Sequence, residues 1–318
     1  MLWISYSSII GSGISTPIQG KQVCAFHLNN HEAKKELHIT WEGKELENTP
    51  FPVYLGVTLD RTLSFREHVT KLKKKLSTRN NILDKLANST WGADPLTLKT
   101  TAMAVCYSTA EYCAAVWSRS AHAHKVNVEL NRACRTITGT LRATPLQSLY
   151  RLASIPPPEV RRNAFSKIEK DKQLSDVRHP LHGHVPAPSR LTSRRSFNTV
   201  TGLARTDPSR FRRATWRELD TSINDALPEI SETLPTGTDL ARRDWVALNR
   251  ARAKVCRTGD NMLRWGLRES AQCPCGHQEQ TFEHIQTSCP LGPQVSDNDL
   301  REANDSARRW IQVWRETL

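Results

Sequence analysis

Apolar residues recur at helical spacing in one long stretch in the first third of the chain. They are three, four or seven positions apart, which places them on one face of a helix: Phe65, Val69, Leu72, Leu76, Leu83 and Leu86. Ser64 and Glu67 form an S-x-x-E capping box, which satisfies the first free N–H groups of a helix. The pattern therefore predicts an amphipathic helix that begins at Ser64.

The other face of this predicted helix is basic. Between Arg61 and Lys85 there are eight Lys and Arg residues against Glu67 and Asp84. The candidates for phosphate contact on this face are Arg66, Lys71, Lys73, Lys74 and Lys75. A helix lying along a phosphate backbone explains them, and a solvated face that covers a core stripe explains them equally well.

Short β-like runs precede the helix, within residues 21–60. They read KQVCAFHL, ELHITWEG and FPVYLGVTLD, and Gly43 fits a tight turn between two of them. Alternating and β-branched residues bounded by Gly and Pro are typical of strands. These runs predict a small antiparallel sheet.

The segments after the helix predict a helical bundle. Asp94 and Pro95 form an N-cap followed by Pro at the first helical position, and the helix they open, at about residues 96–118, is apolar around most of its circumference. Cys106 and Cys113 on it are expected to be structural thiols. A further helix ends near Gly139, a residue type that suits a C-cap.

The amino-acid composition changes in the second half of the chain. Residues 186–236 are rich in Pro, Ser, Thr and Arg, which predicts a basic linker or loosely packed arm. Its candidate nucleic-acid contacts are Arg194, Arg195, Arg212 and Arg213. Helical periodicity returns between Trp245 and Leu267, where Gly259 is expected to break the helix, and again from about Asp297.

Together these patterns predict a predominantly α-helical α+β fold. Residues 1–20 carry no assignment, and 21–60 form the small sheet. Residues 61–185 form the helical bundle, and 237–318 form C-terminal helices around a cysteine-rich module at 273–289. At 318 residues the chain is long enough for two or three domains.

Charge adds a partner class to this picture. The chain carries 45 Lys and Arg against 32 Asp and Glu, a net charge of +13, which favours RNA, DNA or an anionic membrane surface as a partner. Solubility is the alternative explanation. No apolar run approaches the ~20 residues of a membrane span, and the opening MLWISYSSIIGSG lacks a basic n-region. The cysteine spacing is unlike a disulfide framework, so we expect an intracellular protein of the nucleus or cytoplasm without signal peptide or membrane segment.

A metal site is predicted near the C-terminus. Cys273, Cys275, His284 and Cys289 have the spacing C-x-C-x8-H-x4-C, and three thiolates with one imidazole are a ligand set for tetrahedral zinc. His277 is a spare histidine, but its position two residues after Cys275 makes His284 the preferred ligand. Because protein would fill all four positions, the zinc would be structural. The alternative is a chance cluster.

Several of these segments together resemble one family. Residues 54–69 (YLGVTLDRTLSFREHV), 80–122 and 131–146 are similar to the reverse transcriptases of LINE-type, non-LTR retrotransposons of the jockey-like group. Residues 248–291, which contain the cysteine cluster, resemble the C-terminal end of the same polyproteins. The resemblance covers nearly everything after residue 21.

The resemblance implies which part of a polymerase this chain represents. Tyr54, Leu55, Gly56 and Val57 match the primer grip, the hairpin that joins palm to thumb, and the helices that follow match the thumb and connection region. The catalytic carboxylates of the family, which hold magnesium for nucleotidyl transfer, belong upstream of this hairpin. The chain contains no Asp-Asp pair, so no magnesium site and no polymerisation by the chain alone are expected.

Three functions follow as hypotheses. The first is a C-terminal fragment of an RNA-directed DNA polymerase that binds element RNA and primer–template duplex through the basic helix and the zinc module. The second is a reverse transcriptase subunit that becomes active when an upstream palm region completes it. The third is a decayed or domesticated fragment without enzymatic activity.

Overall fold

The computed structural model describes residues 2–5, 22–27, 29–185, 197–203 and 206–318. Helices dominate these residues, and the strands are few and short. The predicted fold class, a predominantly helical α+β fold, is confirmed. Within the described ranges, no helix combines the length and the apolar character that crossing a bilayer requires.

The strands form three small sheets instead of the single antiparallel sheet that the sequence predicts. The strands are β1 Leu2–Ser5, β2 Gln22–Ala25, β3 Thr40–Trp41, β4 Lys44–Glu45, β5 Glu47–Asn48, β6 Val53–Tyr54 and β7 Val57–Thr58. One sheet has the order β1-β2-β5, with β2 and β5 parallel, and the other two are the hairpins β3-β4 and β6-β7. Pro50 and Pro52 between β5 and β6 have no N–H to donate, so a ladder cannot continue through them. A one-turn helix, α1 (Asn30–Ala33), follows β2.

The amphipathic helix α2 spans Arg66–Leu86, and its start differs from the prediction. Phe65 precedes it with φ +58° and no side-chain cap is present, so the capping box of Ser64 and Glu67 is not formed. Asp60 organises this turn instead, because its carboxylate accepts from the Ser64 N–H at 2.9 Å. The middle of the predicted apolar stripe is buried, with Val69 and Leu76 inaccessible to solvent, but Phe65 is half-buried and Leu86 at the end of the helix is exposed.

The bundle core lies between α2 and the helices that follow it. They are α3 Pro95–Ala102, a π-helical turn Met103–Tyr107, α4 Ser108–Glu111, α5 Ala114–Trp117, α6 His124–Thr138, α7 Leu146–Ala153 and α8 Pro158–Ser175. The predicted single helix at about residues 96–118 is thus divided, with a break at Cys113, where φ is +50°. Asp94 caps α3 and Gly139 ends α6, both as predicted.

The predicted linker contains a packed helix. Helix α9 (Pro208–Leu219) lies against α8, and its Trp216 is buried in the bundle core. Residues 197–199 form a short 3₁₀ turn. The part at 186–196 lies outside the described residues.

The C-terminal region has its own core. Its helices are α10 Arg242–Arg252, α11 Gly259–Arg264, α12 Phe282–Thr287, α13 Asp297–Glu302 and α14 Asp305–Trp314. Gly259 begins α11; the chain turns earlier, at Lys254, where φ is +55°. Ala303 divides the predicted last helix with φ +54°. Leu248, Phe282 and Trp310 pack in one cluster, so α10, α12 and α14 share a core beside the cysteine module.

Candidate metal centre and nucleic-acid surface

The four predicted ligand residues converge on one point. Ligand atoms of Cys273, Cys275, His284 and Cys289 all lie within 4.8 Å of one another. The sulfur atoms of Cys273 and Cys289 are 3.8 Å apart, and Cys275 Sγ is 3.2 Å from His284 Nε2. The edge of a tetrahedron with metal–sulfur bonds of ~2.3 Å is about 3.8 Å. The cluster can hold a metal ion, and its donor set and spacing are compatible with zinc.

A tight turn positions the first two cysteines. The Gly276 N–H donates to the Cys273 carbonyl at 2.9 Å, and the Cys273 N–H donates to the His277 carbonyl at 3.0 Å. Gly276 has φ +94°, a backbone conformation that residues with a Cβ rarely adopt. This turn places both thiols on the same side of the module.

Helix α12 positions the other two ligands. Thr281 caps the helix by accepting from the His284 N–H at 3.1 Å. Just past the end of the helix, the Cys289 N–H donates to the His284 carbonyl at 2.8 Å. His284 and Cys289 are therefore fixed relative to each other by one helix end.

The hydrogen bonds of His284 leave its Nε2 for a metal. Its Nδ1 lies 3.3 Å from Ser288 Oγ, and that hydroxyl can donate onward to the His284 carbonyl at 3.3 Å. A proton on Nδ1 makes Nε2 the electron-pair donor, as in histidine ligands whose second nitrogen is hydrogen-bonded. His277 stacks on the ring of His284 at 4.3 Å and lies outside the cluster.

The thiols of the cluster differ in their environment. Burial raises the pKa of the Cys273 thiol to about 11. The N–H of His277 donates to Cys275 and lowers the pKa of that thiol. Because thiolates are the metal-binding form, occupation of the site displaces protons from these cysteines.

Packing holds the module on the C-terminal core. The Trp310 indole in α14 donates to the Ile285 carbonyl at 3.0 Å, and its ring contacts Phe282 edge to face at 6.0 Å. The sequence patterns indicate neither the contact of Trp310 with α12 nor the role of Ser288. The apolar spacing of the last helix marks Trp310 as buried, and Ser288 stands four residues after His284, one helical turn away.

The predicted primer-grip residues form an exposed hairpin tip. Leu55 is 70% exposed, Tyr54 is exposed, and Val57 is buried. Leu55 and Gly56 have φ +45° and +78°, as two-residue hairpin turns with both central residues at positive φ require. The Tyr112 hydroxyl donates to the Leu55 carbonyl at 2.9 Å, which ties the tip to the bundle.

The hairpin and the basic helix share one cavity of about 400 Å³, which we name the hairpin groove. Gly56 and Thr58 line it from the hairpin, Lys71 and Lys75 line it from α2, and Tyr112 closes it. Lys71 Nζ lies 3.5 Å from Thr58 Oγ1. The groove therefore combines two cationic side chains with a backbone turn that has little side-chain bulk.

The other predicted basic contacts are distributed unevenly. Arg66, Lys73 and Lys74 are exposed on α2. Arg213 is exposed on α9, but Arg212 makes a bidentate ion pair with Glu232 at 3.1 and 2.9 Å. The remaining two, Arg194 and Arg195, lie outside the described residues.

Comparison with family models, with curated proteins and with solved structures gives no match for this chain. The chemistry of the cysteine and histidine cluster, the hairpin and the basic helix is therefore what indicates its function.

Proposed function

We propose that the chain is the C-terminal portion of a non-LTR retrotransposon RNA-directed DNA polymerase. In this proposal it binds RNA and DNA through its basic bundle surface, and a structural zinc ion folds its C-terminal module. The observation that carries the proposal is the hairpin groove, where the segment that resembles a primer grip meets the lysines of α2.

The composition of the groove suits a nucleic-acid backbone. Lys71 and Lys75 supply positive charge to phosphates, and the Tyr112 hydroxyl and the Thr58 side chain supply polar contacts. Gly56 presents backbone without a side chain, which permits close approach of a strand. Lys73 and Lys74 continue the exposed charge along the same helix.

The zinc ion of this proposal is structural. Cys273, Cys275, His284 and Cys289 supply four ligands, so a tetrahedral zinc has no position left for water or substrate. Its role is to join the 273–276 turn to α12. Metal analysis of the purified chain should find a single zinc ion per chain.

Polymerisation by the chain is not part of this proposal. Two-metal nucleotidyl transfer needs paired carboxylates, which the sequence lacks. A second candidate function, a subunit completed by a separate palm region, is favoured by exposed apolar side chains on and before the hairpin, namely Phe51, Val53, Tyr54 and Leu55. A primer-extension assay with magnesium distinguishes the two functions. The first function predicts no extension with or without an added palm region, and the second predicts extension when the palm region is added.

Binding across a salt series tests the nucleic-acid proposal. Labelled structured RNA and a labelled DNA duplex are titrated with the zinc-loaded chain at several salt concentrations. For Lys71→Ala with Lys75→Ala, the slope of log K against log salt on duplex DNA should fall by roughly 1.8, at ~0.9 for each lost phosphate contact. Lys44→Ala with Lys172→Ala, which removes two exposed lysines outside the groove, is the matched control.

The outcomes are distinct. Binding that weakens steeply with salt, with a smaller slope in the groove variant only, supports the proposal. A folded, zinc-loaded chain that binds neither RNA nor DNA at low salt would overturn it, and the net charge would then serve solubility alone. Equal slopes in both double variants would remove the groove from the binding surface.

A further inference from the structure

A second cavity lies on the bundle, between the α5–α6 connection and α8. It has a volume of about 450 Å³. Its polar lining includes Arg119, His124, Arg162, Asn163 and the serines 118, 120 and 166. We name it the Arg162 cavity. None of these residues is among the basic candidates that the sequence indicates.

Arg162 is a buried cation with an unused donor. It is 4% exposed, its Nη2 donates to Asn127 Oδ1 at 2.7 Å, and its guanidinium lies 5.8 Å from the Trp117 ring centroid. Its Nη1 has no hydrogen-bond partner among the residues that the structure describes. Burying a charged donor without a partner is costly, so Arg162 keeps an incompletely satisfied positive charge beside the cavity.

Neither of the two acids near Arg162 forms an ion pair with it. Glu111 is engaged by Arg161 in a bidentate pair at 2.5 and 2.9 Å. Glu159 also lines the cavity, but it is exposed, and its Oε1 accepts from Asn127 Nδ2 at 3.4 Å. Burial lowers the pKa of Arg162, yet an arginine starts so high that it stays protonated at neutral pH.

A helix N-terminus adds to the positive potential of the cavity. The 15-residue helix α6 begins at His124, which lines the cavity together with Ala123. The positive end of a helix dipole favours anions. Arg119 brings a second guanidinium into the same lining.

We propose that the Arg162 cavity binds a phosphate group of a nucleic-acid backbone. Two guanidinium groups against one carboxylate disfavour a cation. Stacking of an unpaired base uses an aromatic side chain, and the lining has no Phe, Tyr or Trp. Serine, asparagine and arginine are the groups that commonly contact phosphate oxygens.

The inference rests on the proposed nucleic-acid function. The Arg162 cavity lies close to the hairpin groove. Trp117 contacts a lining residue of each cavity. The ring of His68, which lines the groove, is 5.9 Å from the Trp117 ring, and the guanidinium of Arg162, which lines the Arg162 cavity, packs on Trp117. Ser120 donates to the Ser64 carbonyl at 2.6 Å, at the start of the basic helix. The two cavities thus lie on either side of one buried core residue, Trp117.

Two substitutions test the site. Asn163→Asp changes an exposed side chain to a carboxylate of the same size in the cavity lining. Asn298→Asp makes the same change on the exposed surface of α13 and is the matched control. Arg162→Gln removes the buried cation, and its folding is checked by thermal unfolding before binding is measured. The probes are a labelled DNA duplex and, separately, inorganic phosphate.

With the wild-type chain binding the duplex, Asn163→Asp should weaken binding about tenfold, the equivalent of one charge-assisted hydrogen bond. It should also reduce the salt slope by roughly 0.9, one contact, while Asn298→Asp leaves both nearly unchanged. Equal effects of the two substitutions overturn the inference while leaving the proposed function standing. Inorganic phosphate that binds in an Asn163-dependent way, with duplex affinity unaffected, overturns it too, because the site then serves a free anion. A wild-type chain that binds neither the duplex nor structured RNA at low salt fails the proposed function itself.

Discussion

Arg242 in α10 donates from Nη1 to the carbonyl oxygen of Ile137, at the end of α6 and 105 residues earlier, at 2.7 Å. Its Nη2 donates to the Thr136 carbonyl at 2.6 Å, its Nε donates to the Asn88 carbonyl at 2.9 Å, and Trp245 adds a bond to Ile137 at 3.1 Å. The last carbonyls of a helix have no partner within it, and a positive charge is favourable at that end. One arginine thus joins the C-terminal region to the bundle.

Replacing Arg242 by Met should lower the free energy of unfolding by about 2–4 kcal/mol, because three carbonyl groups lose the charged donor of a buried arginine, and the contact with Ile137 is itself buried. Arg243→Met is the matched control, since Arg243 pairs with Glu316 at the surface and such pairs contribute less than about 1 kcal/mol. Urea unfolding of both variants measures the difference. Equal losses would mean that the contact at α6 does not stabilise the joint.

Asp60 should make the stability of the start of α2 depend on pH. Burial alone would raise its pKa, but the hydrogen bonds from the Ser64 N–H and from the Thr62 and Ser64 hydroxyls outweigh burial and lower the pKa. A lowered pKa means that the carboxylate stabilises the folded state. This stabilisation is present above the unfolded value of about 3.9 and is lost as pH falls through the folded value.

Asp60→Asn should therefore cost about 1–2 kcal/mol at neutral pH, the usual range for a lost helix-capping group. The difference from wild type should vanish in acid, where the wild-type carboxyl is itself protonated. Glu67→Gln, in the first turn of the same helix, is the control and should change stability by less than about 0.5 kcal/mol. Denaturant unfolding at neutral and acid pH tests this, and a cost that stays constant with pH would contradict it.

The helix ends that the sequence predicts correctly are those encoded by neighbouring residues. Asp94 accepts from the Leu96 and Thr97 N–H groups, and Pro95 follows it directly, so the motif is complete within four positions. Gly139 ends α6 with φ +71°, a conformation that glycine adopts without a steric cost. Such signals need no knowledge of the tertiary structure.

The breaks that the sequence does not predict occur at residues other than glycine. Cys113 and Ala303 interrupt helical patterns with φ +50° and +54°, although a left-handed conformation is unfavourable for such residues. At Ala303 the next residue, Asn304, caps α14 by accepting from the Ala307 N–H, which is a local signal, but the helix after Cys113 has no side-chain cap to mark the break. The predicted capping box fails because Asp60, four residues before Ser64, accepts hydrogen bonds from both the N–H and the hydroxyl of Ser64.

The ligand set is predictable from sequence because cysteine and histidine at short spacing carry their chemistry in their identity. The residues that support the ligands are not, because their roles depend on packing. Trp310 reaches the Ile285 carbonyl only because α14 lies against α12. The Arg162 cavity is likewise assembled from the α5–α6 connection, the start of α6 and α8, and no sequence motif marks it.

Gly43 and Gly56 occupy equivalent positions in two hairpins, and comparing their substitution by Ala distinguishes the cost of backbone strain from the cost of a side-chain contact. Gly56 and Gly43 have φ +78° and +75°, and a Cβ on Gly56 would lie 3.3 Å from Tyr112 Cε1, while one on Gly43 would meet nothing within 4 Å. Gly43→Ala should therefore cost about 1 kcal/mol, from left-handed strain alone. Gly56→Ala should cost more, because the Tyr112 ring must shift, and it should also weaken duplex binding. Urea unfolding and duplex titration of both variants test this; equal stability costs with unchanged binding would contradict the proposed role of the groove.

Loss of two thiols should remove the metal from the C-terminal module. Cys273→Ser with Cys289→Ser deletes the sulfur pair that is 3.8 Å apart and leaves Cys275 and His284, which is half of a tetrahedral ligand set. Because structural zinc contributes on the order of 10 kcal/mol of binding free energy in zinc-finger peptides, residues 270–292 should lose their fixed structure. Their amide hydrogens should exchange faster, while those of α6, which belongs to the separate bundle core, should keep their protection.

Cys113→Ser is the control for this change, since Cys113 is a free, partly buried thiol between α4 and α5 and far along the chain from the cluster. It should retain a full complement of zinc. Metal analysis by mass spectrometry and hydrogen exchange on the three proteins measure the outcome. A double variant that keeps the zinc content of the wild type would show that the metal is held elsewhere. A double variant that loses zinc without faster exchange at 270–292 would show that the metal is bound but does not support the fold, because packing by Trp310 and Phe282 would then be sufficient to hold the module.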